Sequence, residues 1–159
     1  MDDEHGERAG NAELEDDLPS DRPPLALSPQ IRSFLSAPGR FATIATLNAD
    51  GSPHQTVVWF LLRDDHIVLN SRAGRRWPAN LLRDPRISLT VEAGLDAVTL
   101  SGVVEHDDDQ PLAQADIAEM ARRYDTPENA ATRIARFRTE QRLRFLLRPR
   151  SMHIHGDPR

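Results

Sequence analysis

The sequence predicts a mainly β, α+β domain in which a small antiparallel barrel carries peripheral helices. Two observations lead to that class. Six to seven short segments rich in β-branched and aromatic residues fall between residues 41 and 155, separated by turn signals. Helical periodicity is confined to short insertions between them, so the regular strand and helix alternation of a parallel α/β sheet is missing. A length of 159 residues with 38% hydrophobic content is enough for one domain with one core.

Each element has a local reason. Ser28-Pro29 reads as an N-cap followed by proline at the first helical position, and Ile31, Phe34 and Leu35 give the short helix an apolar face. Residues 41–47 (FATIATL) form a strand, and Asn48-Ala49-Asp50-Gly51 turns it into a second. That second strand is expected to run unbroken over residues 54–62 (HQTVVWFLL). Arg63-Asp64-Asp65 then turns into a third over 66–70, giving a three-stranded meander. Pro78 suits the first turn of a short helix through Leu82, closed by Asp84-Pro85. Residues 86–92 alternate with Ile87, Leu89 and Val91 on one face, and residues 97–105 form the next strand. Gly102 inside it marks a bulge or a close backbone approach.

Asp107-Asp108-Asp109 is expected to cap the following helix, since carboxylates are favoured at helix N-termini. Ile117, Met120, Ala121 and Tyr124 fall at i, i+3, i+4 and i+7, which makes residues 110–124 an amphipathic helix. A second helix covers 127–138, and strands over 142–147 and 151–155 close the domain.

Composition narrows the function. Without cysteine there are no disulfides, thiolate metal sites or cysteine nucleophiles, which fits a reducing cytoplasm. No apolar run approaches the ~18 residues of a membrane span, and the N-terminus is too acidic for a secretion signal, so a soluble cytoplasmic protein without a membrane partner is expected. All 20 basic residues are arginine. Residues 1–24 carry nine carboxylates against Arg8 and Arg22, a net charge of −7, and read as a disordered acidic tail ahead of a domain over 25–159. The rest of the chain, at +2, has no basic stripe for nucleic acid.

Phosphate loops, dinucleotide-binding glycine fingerprints and nucleophile elbows are not found. His153 and His155 share a strand face, yet no third ligand lies near them in sequence. His54, just after the first hairpin turn, is a candidate for ligand contact or for ordinary solvation. The informative stretch is Asn70-Ser71-Arg72-Ala73-Gly74-Arg75-Arg76-Trp77, where a strand ends, three arginines cluster and a helix begins. Open helix amides and guanidinium forks both suit phosphate, although a solvated basic loop has the same composition.

Three blocks in order, FATIATLNADGSPHQTVVWF (41–60), IVLNSRAGRRWPANLLRDPRISLTV (67–91) and VTLSGVVE (98–105), resemble the pyridoxamine 5′-phosphate oxidase-like family. The likeness is strongest to its branch that uses the deazaflavin coenzyme F420, and covers about residues 28–155. It implies a six-stranded Greek-key split barrel, a homodimer, and a flavin or deazaflavin held in a groove between subunits. It further implies that Gln55, Thr56, Val57, Val58 and Trp59 line the ring system, that Asn70 and Ser71 reach ring or ribityl atoms, and that Arg75, Arg76 and Arg72 hold phosphate. Asn80 joins the cofactor-binding set on the same ground. Where the commoner family pattern has lysine this chain has Trp77, which either stacks on the ring or packs under the helix, and Ala79 stands where a basic residue is frequent.

The implied reaction is hydride transfer from reduced F420 to a small electron-poor organic substrate. FMN is the alternative coenzyme, in an oxidase or reductase, and a non-catalytic flavin or tetrapyrrole carrier is the alternative function. No catalytic residue is identified; Tyr124 and His54 are the side chains available as a proton donor.

Overall fold

The computed structural model describes residues 22–159, so residues 1–21 of the expected acidic tail lie outside the described residues. The order is α1 (Pro29–Ser36), β1 (Ala42–Leu47), β2 (Pro53–Val58), β3 (Leu61–Arg63), β4 (His66–Arg72), α2 (Arg76–Arg83), β5 (Arg86–Ala93) and β6 (Asp96–Asp107), then α3 (Gln110–Tyr124), α4 (Pro127–Phe137), β7 (Arg142–Leu147) and β8 (Ser151–His155). All strand pairs are antiparallel, in the order β2-β1-β5-β6-β7-β4-β3, with β8 added to β6. The sheet curls into the half-barrel of a split-barrel fold, with eight strands rather than the six expected.

The long strand β6 joins the two halves. Residues 96–103 pair with β5, and residues 97–101 of that stretch also pair with β8, whereas Val104 to Asp107 pair with β7. Gly102 sits at the changeover. A Cβ there would lie 3.1 Å from the Arg148 carbonyl oxygen and 3.2 Å from Leu147, which is the close backbone approach expected at that glycine.

The meander does not form. The expected strand over 54–62 is cut after Val58, so β2 pairs only with β1 and β3 only with β4, at opposite ends of the sheet. The cause is local. Phe60 is fully buried in the core, whereas Trp59 turns to stack on Tyr124 at 5.3 Å and an interplanar angle of 2°. The Tyr124 hydroxyl accepts from the Phe60 amide (3.4 Å) and donates to the Arg40 carbonyl (2.7 Å), so the Phe60 N–H is satisfied without a ladder.

Two apolar clusters result. One fills the curl beneath α1 with Ile31, Phe34, Leu35, Ile44, Leu69 and Phe145, and the other packs Leu61 and Val68 against Ile117, Met120 and Ala121 of α3. β4 is therefore covered on both faces, which explains its unbroken apolar run. The expected caps form: Ser28 Oγ accepts from the Ile31 amide and Asp109 Oδ1 from the Leu112 amide. Arg76, two residues before Pro78, begins α2, a position that leaves proline inside the first turn. Among the described residues no helix is long and apolar enough to cross a membrane.

α3 is fixed to the sheet by buried charge. Arg144 on β7, 7% exposed, donates from Nε to Asp116 (2.6 Å) and from Nη1 to Asp107 (2.5 Å), and Asp116 is 3% exposed. Asp116→Ala leaves a buried guanidinium half-paired and is expected to lower stability by about 3 kcal/mol, the lower end of the range for a broken buried ion pair because Asp107 persists. Urea unfolding checks this; a change below about 1 kcal/mol would show that the pair does not hold α3.

Candidate functional site

The cut between β2 and β3 leaves a cavity of about 470 Å³ between the free edge of the sheet and the two long helices. That volume lies within the range of small-molecule and cofactor sites. Its lining comes from five places. β2 gives His54, Thr56 and Val58, which share one strand face by alternation, together with the exposed Val57. Phe41 and Trp59 flank that strand pair in sequence. The long helices supply Ile117, Arg133, Arg136 and Phe137, the start of α2 supplies Arg75, Arg76 and Trp77, and Asn70 and Arg142 come from β4 and β7.

Eight of the twelve sequence-derived site residues meet here: Thr56, Val57, Val58, Trp59, Asn70, Arg75, Arg76 and Trp77. The other four lie outside the lining. Gln55 points to the exposed face of β2, and Arg72 is exposed at the end of β4. Ser71 is buried with an Oγ that has no hydrogen-bond partner. Asn80 is committed to the fold: its Nδ2 donates to Thr46 Oγ1 and Asn48 Oδ1, both at 3.1 Å, and its Oδ1 accepts from Arg83 at 2.9 Å, tying α2 to β1. Trp77 lines the cavity and also packs against Phe145 at 5.8 Å, only 5% exposed, so its ring is held from below.

Charge is distributed unevenly. Five arginines line the cavity and no carboxylate does. Arg133 is paired with Asp125, and Arg142 donates to Glu140 at 2.6 Å. The side chains of Arg75 and Arg76 form neither hydrogen bonds nor ion pairs among the described residues, and Arg75 is the N-cap of α2 without a side-chain cap. The lining also includes an apolar surface built from Phe41, Val57, Val58, Ile117 and Phe137. A flat hydrophobic ring with an anionic arm has the matching chemistry at each end.

Sequence reasoning missed Phe41, Ile117, Arg133, Arg136, Phe137 and Arg142. A signal existed for some of them. Arg133 and Arg136, at i and i+3, share one face of α4, and Arg142 and Arg144 alternate with Leu143 and Phe145 in a strand that is buried throughout. Of the two proton-donor candidates, His54 faces the cavity. Tyr124 does not serve: its hydroxyl donates to the Arg40 carbonyl at 2.7 Å, and burial pushes its phenol up from the ordinary value, so the proton stays in that bond. His153 and His155 lie exposed on β8, and no group of three or more potential metal ligands forms among the described residues.

A family model described as pyridoxamine 5′-phosphate oxidase matches residues 27–144, most of the chain and all of the cavity lining. The chain belongs to that family. Members of the family typically bind flavin. Solved structures share the fold. A conserved hypothetical protein from Mycobacterium tuberculosis is 24% identical, with a TM-score of 0.66 over 84% of this chain and 87% of that one. An F420 reductase is 18% identical, with a TM-score of 0.60 over 76% and 94%. HutZ, the heme storage protein from Vibrio cholerae, is 21% identical, with a TM-score of 0.62 over 84% and 97%. No curated protein matches the sequence.

Tyr124→Phe tests the cut that opens the cavity. It strips the Arg40 and Phe60 backbone of its partner, and a stability loss of about 1–3 kcal/mol is expected. Trp59 fluorescence should shift to the red as the indole loosens from its stack. An unshifted spectrum with unchanged stability would mean that the hydroxyl does not hold the break.

Proposed function

We propose that the protein is an oxidoreductase that uses reduced F420 to transfer a hydride to a small electron-poor organic substrate, with FMN as the alternative coenzyme. One observation carries the reading: a single cavity joins an apolar wall to two guanidiniums that have no partner among the described residues. The fold shared with an F420 reductase favours the deazaflavin, and family membership supports a flavin-type ring in either case.

When bound, the coenzyme supplies the hydride chemistry, and the protein is left to position and desolvate. Val57, Val58 and Trp59 would lie along the ring, with Thr56 offering a hydroxyl at its edge. Arg75 and Arg76 would hold the phosphate arm in front of the open α2 amides. Phe41 and Phe137 would exclude water from the reacting face. His54 is the cavity side chain available to pass a proton to the product.

The proposal extends to a homodimer. β2 is an edge strand, and Val57 and Phe41 beside it are 63% and 46% exposed, an apolar rim that a second copy would cover. Light scattering at micromolar concentration should give the mass of two chains, and a monomer mass would count against a shared site.

Arg76→Ala is expected to weaken coenzyme binding by about 1.5–3 kcal/mol, the worth of a charge-assisted hydrogen bond. Fluorescence titrations with F420 and with FMN measure this directly, and an unchanged dissociation constant would take Arg76 out of the site. Turnover separates enzyme from carrier. An enzyme oxidises reduced coenzyme in the presence of a panel of enones and quinones, whereas a carrier of the heme-storage kind binds without turnover.

A further inference from the structure

The cavity contains a charge arrangement that the coenzyme's phosphate arm does not explain. Arg142 is 4% exposed. Its Nε donates to Asn70 Oδ1 at 2.9 Å and its Nη1 to Glu140 Oε2 at 2.6 Å, while its Nη2 has no partner among the described residues. Asn70 is itself fixed, because its Nδ2 donates to the Ala113 carbonyl at 2.8 Å. The amide expected to touch a ring therefore serves to hold a guanidinium in one plane.

Arg136 stands next to it. Both guanidiniums lie over the ring of Phe137, Arg142 at 4.8 Å and Arg136 at 5.3 Å from its centre. Glu140 is the one carboxylate between them, and it is 3.8 Å from Arg136 Nε, beyond hydrogen-bond distance. Burial together with the neighbouring charges of Arg75 and Arg136 holds Arg142 below the usual guanidinium range, with Glu140 pulling the other way. Glu140 neutralises the buried Arg142, and the exposed Arg136 beside it is free to close on an added anion together with the Arg142 Nη2.

We propose that Arg142 and Arg136 form a carboxylate-recognition site in the cavity, so that the substrate is an organic acid. The inference deepens the oxidoreductase reading and rests on it for the word substrate; the anion site itself needs no coenzyme. Asn70 is a positioning residue for Arg142. Arg75 and Arg76 remain for the phosphate.

The test uses two probes of one shape, 4-nitrobenzoate and 4-nitrobenzamide. Both quench tryptophan, and the protein's two tryptophans, Trp59 and Trp77, line the cavity. Without coenzyme, the native protein should bind the carboxylate about tenfold more tightly than the amide, the lower end of what a charge-assisted hydrogen bond gives. Arg142→Gln and Arg136→Ala should each reduce that preference to under about threefold while amide binding stays within about twofold, and Arg142→Lys should restore part of it. Arg136 is exposed, so its variant decides the matter should the buried Arg142 variants fail to fold. Equal binding of the two probes, binding of neither, or a preference that survives Arg136→Ala overturns the proposal. So does a preference lost only in the Arg75→Ala/Arg76→Ala double variant, which would put the anion on the coenzyme's phosphate arm. Failure of F420 and FMN to bind would remove the oxidoreductase reading and leave this result standing.

Discussion

Trp59 and Phe60 are adjacent residues sent to opposite sides of the backbone's path, and the site depends on what that does to the chain. Phe60 lies in the core and Trp59 stacks on Tyr124 where the chain leaves the β2 ladder, and the two halves of the run join different ends of the sheet. The backbone polar groups freed by the break need partners, and one phenol accepts from the Phe60 amide while its own proton goes to Arg40. Had the strand run on unbroken, residues 54–62 would have joined β1 to β4 as the middle strand of a meander. α3 keeps Tyr124 in place, and α3 is in turn held by the buried Arg144–Asp116 pair. A polar contact beneath the helix thus sets the opening at its far end.

Much of this was legible in the residues. Helix starts were readable because Ser28 and Asp109 make caps that depend only on neighbours a few positions away. The first hairpin was readable for the same reason: Gly51 adopts φ 82° and its amide closes the turn onto Asn48. The break after Val58 was not. A run of six apolar residues looks the same whether it is one strand or two, and what divides it is a tyrosine 64 residues away. Pairing of β4 with β7 and the sharing of β6 by both halves are equally remote from local pattern.

The site divides along the same line. Thr56, Val58, Arg75 and Arg76 are near one another in sequence or fall in one motif, and resemblance to a family reaches them. Arg133, Arg136 and Arg142 arrive from elements that meet the motif only in three dimensions. Asn80 shows the opposite case. It sits within the motif, but helix phase turns its amide toward Thr46 and Asn48, where it anchors α2. Position in a motif sets which element carries a residue, and helix phase then sets what it faces.

Arginine alone supplies the positive charge of this chain, and its geometry bears on how the cavity works. A guanidinium can be fixed through two of its nitrogens and still present the third, as Arg142 does between Asn70 and Glu140. An ammonium on a flexible stem, held by the same two acceptors, would keep no defined direction for a further bond. Burial makes the arrangement asymmetric: Arg75 and Arg76 are exposed and can follow an incoming anion, whereas Arg142 is enclosed and its direction is set before anything binds. The cavity thus offers both kinds of cation, two that can adapt to an anion and one that is oriented in advance.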